Sequence, residues 1–451
     1  MSVAPSTAAP HIAIIGGGWA GMAAAVRLHA QGCRVTVWEA SRHWGGRARA
    51  LDIQAPSGQT WTVDNGQHIL IGAYQACLQV MAEVGVDAQR TLLRLPLDLR
   101  YADGQGLRLP DCAPPWDAAW GIARAKGWSW REKLALLRTA SRWQRSQFQC
   151  AAQATVADIC TGLPARLMQD FVDPLCISAL NLPASEASGR IFLRVLQDGL
   201  FSGHGGSNLL IPRTDLGRLF PASAAQWLQA QGAQLHLGER VQQLQWQAAT
   251  QQWQVNQTVV DAVVLATSSH EAARLVQRAA APLAHTDALA WATTTHALPY
   301  TAIATVYASS AQRTPQGDVL PAPMVALRSG PDAPAQFAFD KAQIDGATGL
   351  IALVISASEG DKATLQAQAI AQARTQLQLP DLQPVQTVID KRATFACTPH
   401  VQRPAAAIMP GLWACGDYVA GPYPATLEGA VRSGQAAAQA LLGAQTGGAA
   451  L

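Results

Sequence analysis

Residues 11–47, HIAIIGGGWAGMAAAVRLHAQGCRVTVWEASRHWGGR, constrain the fold more than any other stretch of the chain. The apolar run from His11 to Ile15 predicts a strand buried on both faces, as in a parallel sheet. Gly16, Gly18 and Gly21 follow in a G-x-G-x-x-G turn, and a small-residue helix is predicted over 20–31, closed by Gly32. A second strand, over 34–38, carries Glu39 at its tip. Each piece has a task if the ligand is a dinucleotide. Gly16 makes the tight turn, Gly18 admits the pyrophosphate close to the backbone, and Gly21 lets helix and strand pack. The helix N-terminus offers free N–H groups to the phosphates. Glu39, eighteen residues past Gly21, is placed to hydrogen-bond ribose hydroxyls and disfavours a 2′-phosphate. Gly45-Gly46-Arg47 then supplies a second close backbone approach and a fixed cation for the same pyrophosphate.

The 451 residues suffice for two or more cores, and 49% hydrophobic against 14% charged residues is a globular composition. A formal charge of +3, with no zinc-finger or helix-turn-helix pattern, argues against nucleic acid. The eight cysteines never form C-x-x-C; they read as buried, reduced thiols, with no metal site and no disulfide, and so point to a reducing compartment. Residues 1–10 lack a basic head and an apolar core and read as a short tail, and no run of about twenty apolar residues occurs.

Along the chain, a strand over 60–63 ends in the polar turn Asp64-Asn65-Gly66-Gln67-His68, followed by a helix over 74–84. Such a turn lies where an α/β sheet binds ligands. Gly66 suits a close approach to the cofactor, while His68 reads equally well as a structural histidine. Residues 96–204 turn helical. Within them, 116–145 place Trp116, Trp120, Trp128, Trp130 and Trp143 among seven Lys and Arg residues, opposed by Asp117 and Glu132. Three readings stand: a helix lying in a membrane interface, an ordinary amphipathic hairpin with its tryptophans in the core, or a basic helix that binds a partner protein. Residues 171–181 suit either a hydrophobic pocket wall or plain core. The glycine-rich stretch 202–207 marks a boundary. After it come a strand at 208–212, a helix over 216–231, a strand over 232–237, a turn at 238–241 leading into another strand, a hairpin flanked by Trp246 and Trp253, and a strand over 261–267. Residues 271–385 mix helices with strands at 301–307 and 350–356, and 391–399 read as a strand and turn returning to the nucleotide-binding part. At the C-terminal end, an apolar strand from 411 delivers Gly416 and Asp417, and a small-residue helix begins near Thr426 and Leu427. Asp417 suits the ribityl or pyrophosphate region, and the helix-start N–H groups suit a flavin ring.

The double-glycine-arginine clamp resembles the start of the amine oxidase and carotenoid desaturase superfamily. GGGWAGMAAAVRL, WGGRAR, DNGQHILIGAY, GWSWREKLALLR, LCISALNLP, LLIPRTDLGRLFP, RATFACTP and ACGDY with YPATLEGAVRSG resemble the hydroxysqualene dehydroxylases, also called squalene-associated FAD-dependent desaturases. The resemblance implies an α/β fold: a Rossmann-like FAD-binding domain of amine-oxidase type, carrying an inserted α+β substrate domain. It assigns 11–95, 205–270 and 386–443 to the FAD domain, and 96–204 and 271–385 to the substrate domain. It implies FAD, with the Val241 backbone at the adenine, and hydroxysqualene reduced to squalene by hydride from flavin N5 in hopanoid and squalene biosynthesis. His68 or Gln67 would then assist departure of the hydroxyl. The location implied is cytoplasmic, with 116–145 peripheral on the membrane face. Rival readings are a carotenoid-type desaturase, an amine oxidase and a non-enzymatic lipid carrier of the same fold. Amine oxidases generally place an aromatic residue where Thr426 stands, and an intact FAD motif weighs against a carrier. No second dinucleotide motif points to the electron donor.

Overall fold

The structure, a computed structural model, describes residues 9–55, 58–201 and 203–447. Most of the predicted N-terminal tail (1–8) and Ser202 of the glycine-rich boundary lie outside the described residues.

Three regions far apart in sequence build one six-stranded sheet. Its order is Gln234–Leu237, Arg34–Glu39, His11–Ile15, Ala262–Leu265, Leu412–Ala414 and Ala407–Met409. Every pairing is parallel except the last. Successive side chains of a strand point to opposite faces, and a sheet covered on both sides must therefore be apolar at every position. The central strand shows this. Ile12 and Ile14 enter a core with the helices Trp19–Ala30 and Leu427–Gly447, while Ala13 and Ile15 join a larger core on the other side. The two helices meet through small residues: a Cβ on Gly434 would stand 2.1 Å from the Ala20 carbonyl oxygen.

A second, antiparallel sheet of five strands runs Met324–Ala326, Phe337–Asp340, Leu350–Ile355, Tyr300–Ser309 and Gln383–Phe395. Ala338 and Leu353 face a core shared with Leu365, Ala369 and Ala373 of the helix Lys362–Gln376. The alternate residues Phe337 and Phe339 face the main core. Side-chain hydrogen bonds help to dock this sheet. The Tyr307 hydroxyl donates to the Asp64 carbonyl at 2.7 Å. Asn181, the left-handed cap of the helix Asp173–Leu180, donates from Nδ2 to Thr301 Oγ1 at 2.8 Å and Thr394 Oγ1 at 3.0 Å.

Two expectations change. The helix foreseen over 216–231 is two helices, Leu216–Leu219 and Pro221–Ala230, because Pro221 has no N–H to donate and forces Phe220 out of helical geometry. The turn at 238–241 leads into the strand Leu244–Gln247, as its sequence implies. The N–H groups of Gly238 and Glu239 bond the Ser41 and Glu39 carbonyls, which pulls the segment across the tip of the strand Arg34–Glu39. The strand read at 391–399 begins at Gln383, ends at Phe395 and crosses the boundary placed at 385/386, since it pairs along the whole of Tyr300–Ser309. Among the described residues no helix is long and apolar enough to cross a membrane.

Candidate functional site

A cavity of about 710 Å³ opens along the C-terminal edge of the parallel sheet and runs to the inner face of the five-stranded sheet. Its polar end is built by the two glycine loops. Gly16 adopts φ +115°, and a Cβ there would lie 2.5 Å from the Ala266 carbonyl oxygen. The Gly45 N–H bonds the Gly17 carbonyl at 3.0 Å, laying the 45–47 loop beside the first glycine turn. Gly16, Gly18 and Gly46 thus form a wall without side chains. The helix Trp19–Ala30 starts on this wall, with no side-chain cap at Gly18 and no acid in its first turn. Its free N–H groups and positive end are left for an anion.

Glu39 lines the same end, accepting from the N–H groups of Gly17 and Ser41, each at 2.7 Å. Val241 lies beside it on the cavity wall, where the 238–241 segment crosses the strand tip. Arg47 spans the loops: it donates from Nη1 to the Ala393 carbonyl at 2.8 Å and from Nη2 to Asp417. Gly416, Asp417, Thr426 and Leu427 also line the cavity. Thr426 Oγ1 accepts from the Gly429 N–H at 2.9 Å, so its hydroxyl caps the last helix. Glu428 turns inward, accepting from the N–H groups of Ala76 and Cys77 and pairing with Arg432 at 2.7 Å. Gly21 is the exception among the foreseen cofactor residues. It lies off the cavity wall, and its part is packing, since a Cβ there would stand 2.0 Å from the Gly16 carbonyl oxygen.

Gly66, Gln67 and His68 lie where the polar end meets the apolar one. The His68 ring is lowered to about 4: burial disfavours its charged form, against the opposing pull of the Gly66 carbonyl and Asp390. With Nδ1 donating to Gly66 O at 3.2 Å, Nε2 is an acceptor, so near neutral pH this imidazole has no proton to give to a leaving group. The apolar end is walled by Leu97, Leu99, Leu175, Leu196, Phe337 and Phe339. The stretch 171–181 serves both of its readings: Leu175, Ser178 and Ala179 face the cavity, while Cys176 and Leu180 are core. Sequence reasoning missed the Phe337–Asp340 wall, whose Phe-Ala-Phe alternation was its one signal. It also missed that Asp64, pushed up to about 7 by burial, sits below the Gln67 turn beside a buried lysine.

Comparison with known proteins agrees with this layout. The family model for flavin-containing amine oxidoreductases matches residues 19–442. The chain is 25% identical to a hydroxysqualene dehydroxylase of Zymomonas mobilis, over 95% of this chain and 98% of that one. It is 27% identical to a hydroxysqualene dehydroxylase of Rhodopseudomonas palustris, over 96% and 98%. Its fold is similar to the crystal structure of an oxidoreductase from Methanosarcina mazei, with a TM-score of 0.70 at 15% identity, covering 95% of this chain and all of the other. The cofactor is FAD, and the cradle fits it: an unsubstituted glycine wall and an uncapped helix start for the pyrophosphate, with Glu39 for a ribose.

The depressed His68 value carries a stability signature. The folded ring takes up its proton only near pH 4, the unfolded one near 6.5, so this contribution is complete above pH 6.5 and is lost as pH falls toward 4. Histidine NMR titration is expected to show one ring neutral throughout pH 5–8, and His68→Gln to remove that resonance and flatten the acid limb of the stability profile. A His68 ring titrating near 6.5 would contradict the assignment.

Proposed function

The chain belongs to the family of flavin-containing amine oxidoreductases, and on that premise we propose that it reduces hydroxysqualene to squalene in squalene and hopanoid biosynthesis. FAD-dependent oxidoreduction is the activity of the family; the substrate is our reading. The observation that carries it is the two-ended cavity, in which a polar groove for a dinucleotide continues into a chamber walled by leucine and phenylalanine. End-to-end similarity to proteins named hydroxysqualene dehydroxylase supports the same choice. We assign 11–95, 205–270 and 386–443 to cofactor binding, with the strand up to Phe395 shared, and 96–204 and 271–385 to the substrate.

The overall change consumes one hydride and one proton, breaks the carbon–oxygen bond, forms a carbon–hydrogen bond and releases water. Reduced FAD, when bound, supplies the hydride from N5. Orienting the substrate and excluding water fall to the chain. Leu99, Leu175, Phe337 and Phe339 exclude water from an allylic cation left by departure of the hydroxyl. Gln67 and His68 stand at the junction, where the hydroxyl of a chain-like substrate would lie, one as a donor and the other as an acceptor. Arg47 and Asp417 hold the loops that orient the cofactor.

The reading extends to the membrane. The helices Trp116–Arg124 and Trp130–Arg145 form a hairpin in which Trp128 and Trp143 are core, but Trp116, Trp120 and Trp130 are 65%, 52% and 74% exposed. With Leu134 and Leu137 they make five of the eight exposed large hydrophobic residues described, all within one hairpin. Arg124 lies over the Trp120 ring at 5.2 Å and Lys133 over Trp130 at 4.8 Å. Asp117 is buried and Glu132 is spent in a capping box, so the charge offered to a surface is positive. We assign this face to the anionic cytoplasmic surface of a bilayer, from which a C30 hydrocarbon must be drawn.

With excess dithionite, the purified protein is expected to convert hydroxysqualene to squalene. Absence of squalene, with the oxidised protein instead introducing double bonds into a polyene, would replace the reading with that of a desaturase. The protein is also expected to float with vesicles containing about one-third phosphatidylglycerol, and a Trp116, Trp120 and Trp130 to Ser triple variant to bind roughly tenfold less. Failure of the wild-type protein to float would remove the membrane assignment.

A further inference from the structure

Lys341 is a lysine whose side chain is only 5% exposed. A buried ammonium is rare and must be paired. The residue opens the helix Lys341–Asp345, directly after the strand that sends Phe337 and Phe339 to the cavity. Its Nζ pairs with Asp345 at 2.6 Å, one helical turn on, and that contact already answers its charge. A second bond leads elsewhere: Nζ donates to Gln67 Oε1 at 3.3 Å, reaching a cavity-wall residue 274 positions away.

A glutamine amide presents an acceptor at one end and a donor at the other, and an ammonium can only donate. The lysine therefore takes the oxygen and leaves the NH₂ group free to donate. That group makes one long bond, to the His68 carbonyl at 3.4 Å, and belongs to a residue that lines the cavity. His68 is fixed in the opposite sense, with Nδ1 bound to Gly66 O and Nε2 accepting. We propose that Lys341 is a positioning residue, holding Gln67 as the hydrogen-bond donor to the oxygen that leaves the substrate. The inference rests on the dehydroxylation reading for that oxygen's identity, though the Lys341–Gln67 coupling itself does not.

The alternative is a structural staple, in which Lys341 does no more than pair with Asp345. Two measurements on wild type, Lys341→Met, Gln67→Leu and the double variant decide between them, with Lys341→Arg as the conservative replacement. In turnover of hydroxysqualene by the dithionite-reduced holoprotein, Lys341→Met is expected to keep its flavin and its KM within about twofold while kcat falls about tenfold. Gln67→Leu is expected to fall by a similar factor, the double variant no further, and Lys341→Arg to recover most of the rate. Wild-type kcat in Lys341→Met, or losses that multiply in the double variant, would overturn the proposal. In urea unfolding of the same four proteins, the two substitutions are expected to be non-additive, and strict additivity would also overturn it. If the wild-type protein makes no squalene, the substrate reading falls, and the unfolding cycle still decides whether lysine and glutamine are coupled.

Discussion

The clasp between Arg47 and Asp417 is the contact on which the rest of the site depends. Arg47 ends the first glycine-rich motif, Asp417 follows the last strand of the parallel sheet, and the Ala393 carbonyl that shares the guanidinium belongs to the antiparallel sheet. One planar group with several donors thus joins three segments, two of them 370 residues apart. Asp417 is the more buried partner, so it has most to lose if the guanidinium goes. The clasp also fixes the mouth of the cofactor groove, because all three segments lie on its wall.

Around that point the molecule is organised by two sheets that are each apolar on both faces, for different reasons. The parallel sheet is covered by helices on one side and by the main core on the other, and it gives up its C-terminal edge to the ligand. The antiparallel sheet packs one face on the helix Lys362–Gln376 and offers the other to the cavity. A polar groove set against an apolar chamber follows from that division. The proposed dehydroxylation needs both halves, since a charged cofactor must be gripped and a carbocation kept from water. His68 shows the consequence, because the burial that keeps the chamber dry also strips the imidazole of its proton.

Much of this was legible in the sequence. The strand, glycine turn, helix and terminal acid from His11 to Glu39 stand where their spacing places them, and Glu39, Arg47, Val241, Asp417 and Thr426 all reach the cavity wall. Local rules sufficed there because the motif is contiguous and each residue's task is set by its neighbours. Gly21 follows the same rules: its place in the motif assigns it to helix–strand packing, and its close contact is with the Gly16 carbonyl. The tryptophan hairpin was half legible, since composition announced an interfacial stretch but could not divide Trp128 and Trp143 from the three exposed rings. What stayed hidden was long-range. Nothing local to Lys341 indicates that its ammonium meets Gln67, and nothing near Tyr307 indicates that its hydroxyl meets Asp64. Such pairings are set by how the antiparallel sheet docks, which periodicity does not encode.

The central claim is that this groove and chamber serve electron transfer from a flavin to an isoprenoid alcohol, and a single anaerobic turnover tests it most directly. Protein reduced with one equivalent of dithionite is mixed with hydroxysqualene in a stopped-flow cell, and flavin absorbance and squalene are followed together. The account predicts return of the oxidised flavin band with one squalene formed per flavin reoxidised. A flavin that stays reduced while the substrate is bound and unchanged would contradict it.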